Sequence, residues 1–256
     1  MNKQIEYYSK SIESNEGVEE AYYNRGLAYM DMEEYQKALD DFRMYISFNE
    51  SDHEAYFNMG ECNYSLDRYK EAIQSFTEAI RFELNDAEYF YRRGLAKMAL
   101  GRYEEAIVDF DISIRLNPGQ QFAWEGRGSC KIELRRFDEA LMDLDMAVKL
   151  EPIDEVAYNE RGICKYVLGD LQGAHEDFKK ALELDPDYND PELGMAVILF
   201  KGGRMDEARV YFRDMLKAFE EYENGGSPAF SPFDNDYWIE EEYFLLMTMI
   251  ETLRDD

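Results

Sequence analysis

Histidines, cysteines and paired carboxylates are the side chains of this sequence that could hold a metal ion or carry out acid–base or nucleophilic catalysis. The two histidines, His53 and His175, have no cysteine or second histidine at metal-ligand spacing. The cysteines number three, and an odd count argues against a framework of disulfides. Carboxylate pairs are inevitable with 56 Asp and Glu residues, and on a helix they usually form a solvated face. We therefore predict a protein that is not an enzyme, with no catalytic, metal-binding or cofactor-binding residue.

The excess of acidic over basic residues limits the kinds of partner that the protein can bind. Acidic residues outnumber basic ones by 56 to 28, giving a net charge of −28. This field repels phosphates, so we expect no nucleic-acid partner and no membrane partner. The field either keeps the protein soluble or steers in a basic partner. The chain starts without an apolar signal segment and its apolar run YFLLMTMI is too short to span a bilayer, so a cytoplasmic protein is predicted.

Glycine recurs every 34 residues inside a pattern that otherwise favours helix, where it costs about 0.5–1 kcal/mol relative to alanine. An alanine follows each glycine after twelve residues, and large apolar residues follow at steps of four, which is one face of a helix. Two small residues at this spacing predict two helices that cross closely. The glycines are Gly26, Gly60, Gly94, Gly128 and Gly162, and the alanines are Ala38, Ala72, Ala106, Ala140, Ala174 and Ala208.

Each unit is therefore predicted to be helix A, a tight turn and helix B. Gly101, Gly169 and Gly203 fit left-handed helix caps in the turn. Residues 1–18 contain the helix B pattern alone and are predicted to form a half-repeat that caps the array. The predicted repeats are residues 19–52, 53–86, 87–120, 121–154, 155–188 and 189–221.

The period stops after residue 221, where the Gly, Pro, Ser and Asp content of residues 222–236 predicts a linker. Residues 237–256 then predict a helix whose apolar side chains cover an arc of about 160°, wider than the roughly 100° of a single packed face. This C-terminal helix could cap the last repeat, fold back into the groove of the array, or dock into another subunit. Its apolar residues are Trp238, Ile239, Tyr243, Leu245, Leu246, Met249, Ile250 and Leu253.

The 34-residue period, with an aromatic residue, glycine, A-x3-F and proline in order, resembles the tetratricopeptide repeat family. The resemblance covers residues 19 to about 220. Arginine or methionine precedes each repeat glycine, where the family usually has leucine, and the sixth repeat has Ala196 in place of the glycine. The resemblance implies an all-α fold, a right-handed α-solenoid of helix-turn-helix repeats whose A helices line a concave groove.

The resemblance also implies which side chains line this groove, namely those three residues before, one after and four after each glycine. Offsets of this kind share one face of a helix. The expected peptide-binding residues, with the asparagines and arginine discussed next, are Tyr23, Asn24, Leu27, Phe57, Asn58, Glu61, Tyr64, Tyr91, Arg92, Leu95, Met98, Glu125, Ile132, Asn159, Ile163 and Tyr166. An apolar surface on so acidic a protein is typical of an interaction site.

Some members of the family hold the C-terminal carboxylate of a chaperone tail with a clamp of Lys, Asn and Arg. Asn58 and Arg92 match part of that clamp, but Tyr23 and Leu27 replace its first Lys and Asn. We therefore predict a different ligand. Asn24 and Asn58 also resemble the asparagines that hold an extended peptide backbone in other members.

Three functions follow as hypotheses. The first is a non-catalytic adaptor whose groove binds an apolar or amphipathic segment of another protein or peptide. The second is an acidic chaperone that shields a hydrophobic or secreted protein. The third is a nucleic-acid mimic that uses its carboxylates as surrogate phosphates. Self-association through the C-terminal helix is a further expectation.

Overall fold

This computed structural model describes residues 2–188 and 190–213, together with residues 248 and 252. The predicted linker and nearly all of the predicted C-terminal helix lie outside the described residues. Within them the chain forms only helices, and residues 205–213 continue the series after the twelfth. The twelve helices are α1 Asn2–Glu13, α2 Val18–Met30, α3 Tyr35–Ile46, α4 His53–Ser65, α5 Tyr69–Phe82, α6 Ala87–Met98, α7 Tyr103–Leu116, α8 Gln121–Glu133, α9 Phe137–Leu150, α10 Glu155–Val167, α11 Leu171–Leu184 and α12 Asp190–Lys201.

Consecutive helices pack against each other in two compact units, which divide within α8 between residues 130 and 131. In the N-terminal unit α1 packs on α2, and the pairs α2–α3, α4–α5 and α6–α7 form three repeats. In the C-terminal unit α10 packs against α9 and α11, and α12 packs against α11. The even-numbered helices are therefore A helices, and the odd-numbered ones are B helices.

Short polar residues mark where helices begin. Asp52 and Asp154 cap α4 and α10, their Oδ1 atoms accepting the backbone N–H of Ala55 at 3.0 Å and of Ala157 at 3.1 Å. Asp86 and Asp170 cap α6 and α11 in the same way. Each cap satisfies a backbone donor that has no partner inside the helix, which stabilises the helix by about 1 kcal/mol.

The turn between helices A and B contains one residue with left-handed backbone in every repeat. Gly101, Gly169 and Gly203 have φ of 67°, 89° and 74°, which confirms the predicted caps. The equivalent positions of the other repeats are not glycine, and their φ values lie between 56° and 59°. The turn geometry is therefore conserved along the chain even where the side chain makes it less favourable. These positions are Glu33, Asp67 and Arg135.

The repeat glycine lies against the residue sixteen positions later on its B helix. A Cβ added to Gly60 would lie 2.4 Å from Cε1 of Phe76, and one added to Gly162 would lie 2.7 Å from Cε1 of Phe178. Both rings are fully buried, and so are the six repeat alanines. The missing side chain thus sets how closely helices A and B approach, and this close packing offsets the low helix propensity of glycine.

Ion pairs join the same helices beside this contact. Arg93 donates from Nε and Nη2 to the two carboxylate oxygens of Asp109, at 2.9 and 2.7 Å, and Lys97 lies 2.7 Å from the same carboxylate. The third nitrogen of Arg93 donates to Thr77 Oγ1 on the preceding B helix at 3.1 Å. One guanidinium therefore ties an A helix to both flanking B helices. Equivalent bidentate pairs are Arg25–Asp41 and Arg161–Asp177.

The second repeat replaces these charges with a neutral set. Met59, Asn63 and Ser75 occupy the positions of arginine, lysine and aspartate, and Asn63 Nδ2 donates to Ser75 Oγ at 3.3 Å. A buried charge that loses its partner is strongly destabilising, whereas replacing all partners together is tolerated. The joint change in repeat two fits this rule.

The glycine contact can be tested by a double-mutant cycle. We expect Gly60→Ala to lower the free energy of unfolding by about 1–3 kcal/mol, because the new methyl group overpacks against Phe76. Phe76→Leu removes the ring edge and imitates Leu144 of the fourth repeat. The double variant is expected to lose less stability than the sum of the single changes, as measured by chemical denaturation. Gly119→Ala is the control, since its nearest neighbour would lie 3.5 Å away. An unchanged stability of Gly60→Ala would contradict this account.

The ion-pair arrangement can be tested by transplanting the neutral set. We expect Asp109→Ser alone to lower the free energy of unfolding by about 3 kcal/mol, because Arg93 and Lys97 lose their buried partner. Adding Arg93→Met and Lys97→Asn reproduces repeat two and is expected to restore most of that loss. Equal stability of the single and triple variants in denaturant titrations would show that the buried charges are not coupled.

Candidate protein-interaction site

The A helices of the N-terminal unit carry a row of half-buried side chains at the three predicted offsets from the repeat glycine. We call this row the α2–α4–α6 face. Eight of its nine members, all but Glu61, are apolar or aromatic, although they are open to solvent in an acidic protein. The members are Tyr23, Leu27 and Met30 on α2, Phe57, Glu61 and Tyr64 on α4, and Tyr91, Leu95 and Met98 on α6.

Polar contacts join α2 to α4 at one end of this face. Asn58 Nδ2 donates to the hydroxyl of Tyr23 at 3.3 Å, and that hydroxyl donates to Glu54 Oε2 at 3.3 Å. Burial, followed by the nearby carboxylates of Glu54 and Asp52, raises the pKa of Tyr23 to about 12. The phenol therefore stays protonated at neutral pH and can keep this hydrogen bond.

A second polar network joins α4 to α6. Arg92 Nε donates to Glu88 Oε1 at 2.6 Å, and its Nη1 lies 3.5 Å from Glu61 Oε2. Gln120 Nε2 donates to the other Glu88 oxygen at 2.8 Å. The second oxygen of Glu61, Oε1, is buried and has no hydrogen-bond partner among the described residues. Burial raises the pKa of Glu61, while Arg92 opposes the shift and Glu88 adds to it.

Aromatic side chains of this face pack against other rings. Phe57 stacks on Tyr89 with ring centroids 4.8 Å apart, and Tyr64 meets Tyr69 edge to face at 5.2 Å. Burial raises the pKa of Tyr91 to about 12; Arg92 opposes this shift and Glu125 adds to it. The face thus combines rigid apolar surface with carboxylates held at fixed places.

The predicted groove residues of the C-terminal unit lie in a different environment. Ile132, Asn159, Ile163 and Tyr166 are only 3–6% exposed, so they present no open surface. Leu193 and Val197, at the same offsets on α12, are buried as well. These positions are closed to solvent in the structure, and the expectation that they bind a peptide stays a prediction. Glu125 and Ser129 on α8 remain half-buried.

The two asparagines that resemble peptide-backbone holders differ in their contacts. Asn24 Nδ2 donates to the carbonyl of Glu20 in its own helix at 2.8 Å, whereas Asn58 reaches the neighbouring helix. Glu54, Glu88 and Gln120 were not among the predicted site residues, although they complete both networks. The recurrence of glutamate at 54 and 88, one period apart, is the sequence signal that could have indicated two of them.

The three cysteines and His53 take part in the packing between helices. Cys62, Cys130 and Cys164 are fully buried thiols. Burial, then nearby carboxylates, raises the pKa of Cys62 to about 12 and raises that of Cys164 further. His53 Nδ1 shares a hydrogen bond with the hydroxyl of Tyr89 at 2.7 Å. In the part of the chain that the structure describes, no group of His, Cys, Asp and Glu side chains is placed to hold a metal ion.

Family models described as tetratricopeptide repeat match residues 19–52, 53–86, 87–120 and 168–223, over half of the chain. The chain belongs to the tetratricopeptide repeat family. Its all-α repeat fold is that of this family, whose members bind other proteins or peptides and are typically non-catalytic scaffolds. No helix among the described residues has the length and apolar character needed to cross a membrane. No curated protein matches the chain.

Solved structures with the same fold are distant in sequence. YrrB, a TPR protein with an unusual peptide-binding site, is 23% identical with a TM-score of 0.62, over 72% of this chain and 95% of that one. The type IV pilus biogenesis factor PilW is 20% identical with a TM-score of 0.67, over 90% and 99%. PilF of Pseudomonas aeruginosa is 16% identical with a TM-score of 0.68, over 80% and 92%. At these identities the likeness shows the fold alone.

The cysteine environments predict that the native protein is nearly inert to thiol reagents. At pH 8 we expect the three thiols to react with Ellman's reagent at least tenfold more slowly than in denaturant, because the thiolate forms only when burial is lost. Reaction of any of them at the rate of an exposed thiol would contradict the burial described above.

Proposed function

We propose that the α2–α4–α6 face is a groove that binds a segment of another protein carrying both apolar and basic side chains. The observation that supports this proposal is the row of half-buried aromatic and aliphatic side chains, which includes Glu61 and has the hydrogen-bonded carboxylates of Glu54 and Glu88 on the same helices. Apolar surface of this kind usually marks an interaction site, and aromatic residues contribute most to binding energy at interfaces.

The charges of this face favour a basic partner. Glu61 and Glu88 flank one cation, Arg92, and Glu54 lies in the neighbouring network with Tyr23, so the two networks together carry excess negative charge. The buried Glu61 Oε1 is an acceptor without a partner among the described residues. A Lys, Arg or backbone N–H of the bound segment would supply the missing donor and remove the cost of leaving that oxygen unpaired. The net charge of −28 would also steer a basic segment towards the protein.

Family membership supports the adaptor over the other hypotheses, a chaperone for a hydrophobic or secreted protein and a nucleic-acid mimic. A chaperone would bind many unrelated apolar segments with similar affinity, whereas an adaptor selects a restricted set. A mimic would bind a DNA-binding protein through exposed carboxylates, and its binding would not depend on Leu95 or Tyr91.

Selection of peptides from a random library against the purified full chain tests the proposal. We expect the selected peptides to share apolar residues together with Lys or Arg. Leu95→Asp and Tyr91→Asp are each expected to weaken binding of a synthetic selected peptide at least tenfold, about 1.4 kcal/mol, because a charge enters the apolar part of the face. Isothermal titration calorimetry measures the affinities.

Val108→Asp is the matched control for this experiment. Val108 is 57% exposed on α7, the B helix that pairs with α6. The substitution therefore adds the same charge to the same repeat, but outside the α2–α4–α6 face. We expect the Val108→Asp variant to bind the selected peptide with the same affinity as the unchanged protein. Equal affinities for Leu95→Asp, Tyr91→Asp and Val108→Asp would place the binding site elsewhere.

A further inference from the structure

A cavity of about 770 Å³ lies where α6 and α8 begin, in the N-terminal unit. Residues 83–88, which lead into α6, line it together with residues 116–122, which join α7 to α8. His53 at the start of α4 also contributes to the lining. We call this space the α6–α8 cavity. Its volume falls within the range of about 300–1,000 Å³ that is usual for ligand sites in proteins.

The lining of this cavity carries negative charge that no basic residue of the lining balances. Among the described residues it includes Glu83, Asp86 and Glu88 but no lysine or arginine. Glu88 is paired with Arg92, as described above. Neither Glu83 nor Asp86 has an ion-pair partner in the part of the chain that the structure describes. The cavity therefore favours a cationic ligand.

The equivalent aspartate of the first repeat shows which donor Asp86 lacks. Asp52, one period earlier, caps α4 with Oδ1 and accepts the hydroxyl of Tyr45 with Oδ2 at 2.7 Å. Asp86 caps α6 with Oδ1, which accepts the backbone N–H of Glu88 at 2.9 Å. The position of Tyr45 is taken by Ala79 in the second repeat, so Oδ2 of Asp86 has no hydrogen-bond donor among the described residues. This oxygen is available to a donor that enters the cavity.

Large apolar side chains complete the lining. Phe122 and Leu116 are 54% and 39% exposed, and both line the cavity. A guanidinium group is planar and weakly hydrated, so it can stack on an aromatic face while its N–H groups donate to carboxylates. An ammonium group is a strongly hydrated point charge and gains less from such a ring. Carboxylates without a cation beside an exposed ring therefore fit a guanidinium group best.

We propose that the α6–α8 cavity binds the guanidinium group of an arginine side chain carried by another polypeptide. Glu83 and Asp86 accept its N–H groups, Phe122 covers its plane, and Leu116 contacts its alkyl stem. Glu88 belongs both to this lining and to the polar network of the α2–α4–α6 face, so one polypeptide can reach both places. Binding in the cavity does not depend on whether the α2–α4–α6 face holds a segment.

NMR titration of the full ¹⁵N-labelled chain with small probes tests this site. Nα-acetyl-arginine amide presents the side chain as a polypeptide does, and Nα-acetyl-citrulline amide is its neutral, nearly isosteric control. We expect the arginine probe to bind with a Kd of about 1 mM and to shift the amide signals of residues 83–88 and 116–122. The citrulline probe is expected to bind at least tenfold more weakly, because it cannot form charge-assisted hydrogen bonds.

The carboxylates are tested by removing their charge while keeping their shape. Glu83→Gln with Asp86→Asn is expected to weaken binding of the arginine probe at least tenfold, and asparagine keeps the cap of α6. Glu71→Gln with Glu104→Gln is the matched control, since both residues are exposed on α5 and α7 and neither lines the cavity. The control pair is expected to leave the Kd unchanged. Equal weakening by both pairs would show attraction by the overall charge and overturn the proposal.

The ring is tested by comparing the arginine probe with Nα-acetyl-lysine amide. We expect the lysine probe to bind at least threefold more weakly to the unchanged protein, and Phe122→Ala to abolish this preference. Equal binding of the two probes to the unchanged protein would overturn the assignment of a guanidinium group.

The remaining results of the titrations also decide the proposal. Saturable shifts confined to residues outside the lining would place the probe elsewhere and overturn it, as would equal affinities for the arginine and citrulline probes. Agmatine, a free guanidinium compound with a second cation, distinguishes a small molecule from a polypeptide. Binding of agmatine at least tenfold tighter than the arginine probe would overturn the assignment to a polypeptide side chain. The amide spectra show whether each variant is folded, and the comparison with citrulline needs no variant.

Discussion

The contact between a glycine on helix A and a ring on helix B is the constraint on which the rest of the structure depends. At Gly60 a single methyl group would approach Phe76 to 2.4 Å, closer than packed atoms come. On the helical wheel the side chains three residues before and one and four after the glycine lie to one side of it, within about 100°. Tyr23, Phe57 and Tyr91 accordingly contact the ring of their own B helix and stay half-buried. The row of half-buried side chains is thus a consequence of where the helices touch, and it repeats because the glycine repeats.

The ion pairs depend on the same geometry and show how an acidic chain places its few cations. Asp109 is 1% exposed, yet Arg93 and Lys97 supply donors to both of its oxygens. A buried carboxylate is tolerable only with such complete pairing. Arginine and lysine side chains paired with buried aspartates contribute little positive charge to the protein surface. The remaining carboxylates therefore dominate the outer faces, which favours basic over acidic partners.

Local packing could be predicted from the sequence, whereas burial by distant segments could not. The period predicted the helix pairs and the left-handed turns at Gly101, Gly169 and Gly203, because these depend on residues within one repeat. Glu33 adopts the same turn without any glycine to indicate it. Ile163, an expected peptide-binding residue, is 6% exposed, and the exposure of such a position depends on segments outside its own repeat, which the period does not predict. The pairing of Arg93 with Asp109 was also missed, although both recur sixteen residues apart in several repeats.

The different burial of equivalent positions divides the array into faces with different availability. Asn159, Ile163 and Tyr166 on α10 are 5–6% exposed, so a free partner cannot reach these positions without a rearrangement of the side chains around them. The side chains at the same offsets on α2, α4 and α6 are half-buried, and their rings remain open to solvent. We therefore expect an external ligand to contact the α2–α4–α6 face rather than α10 or α12.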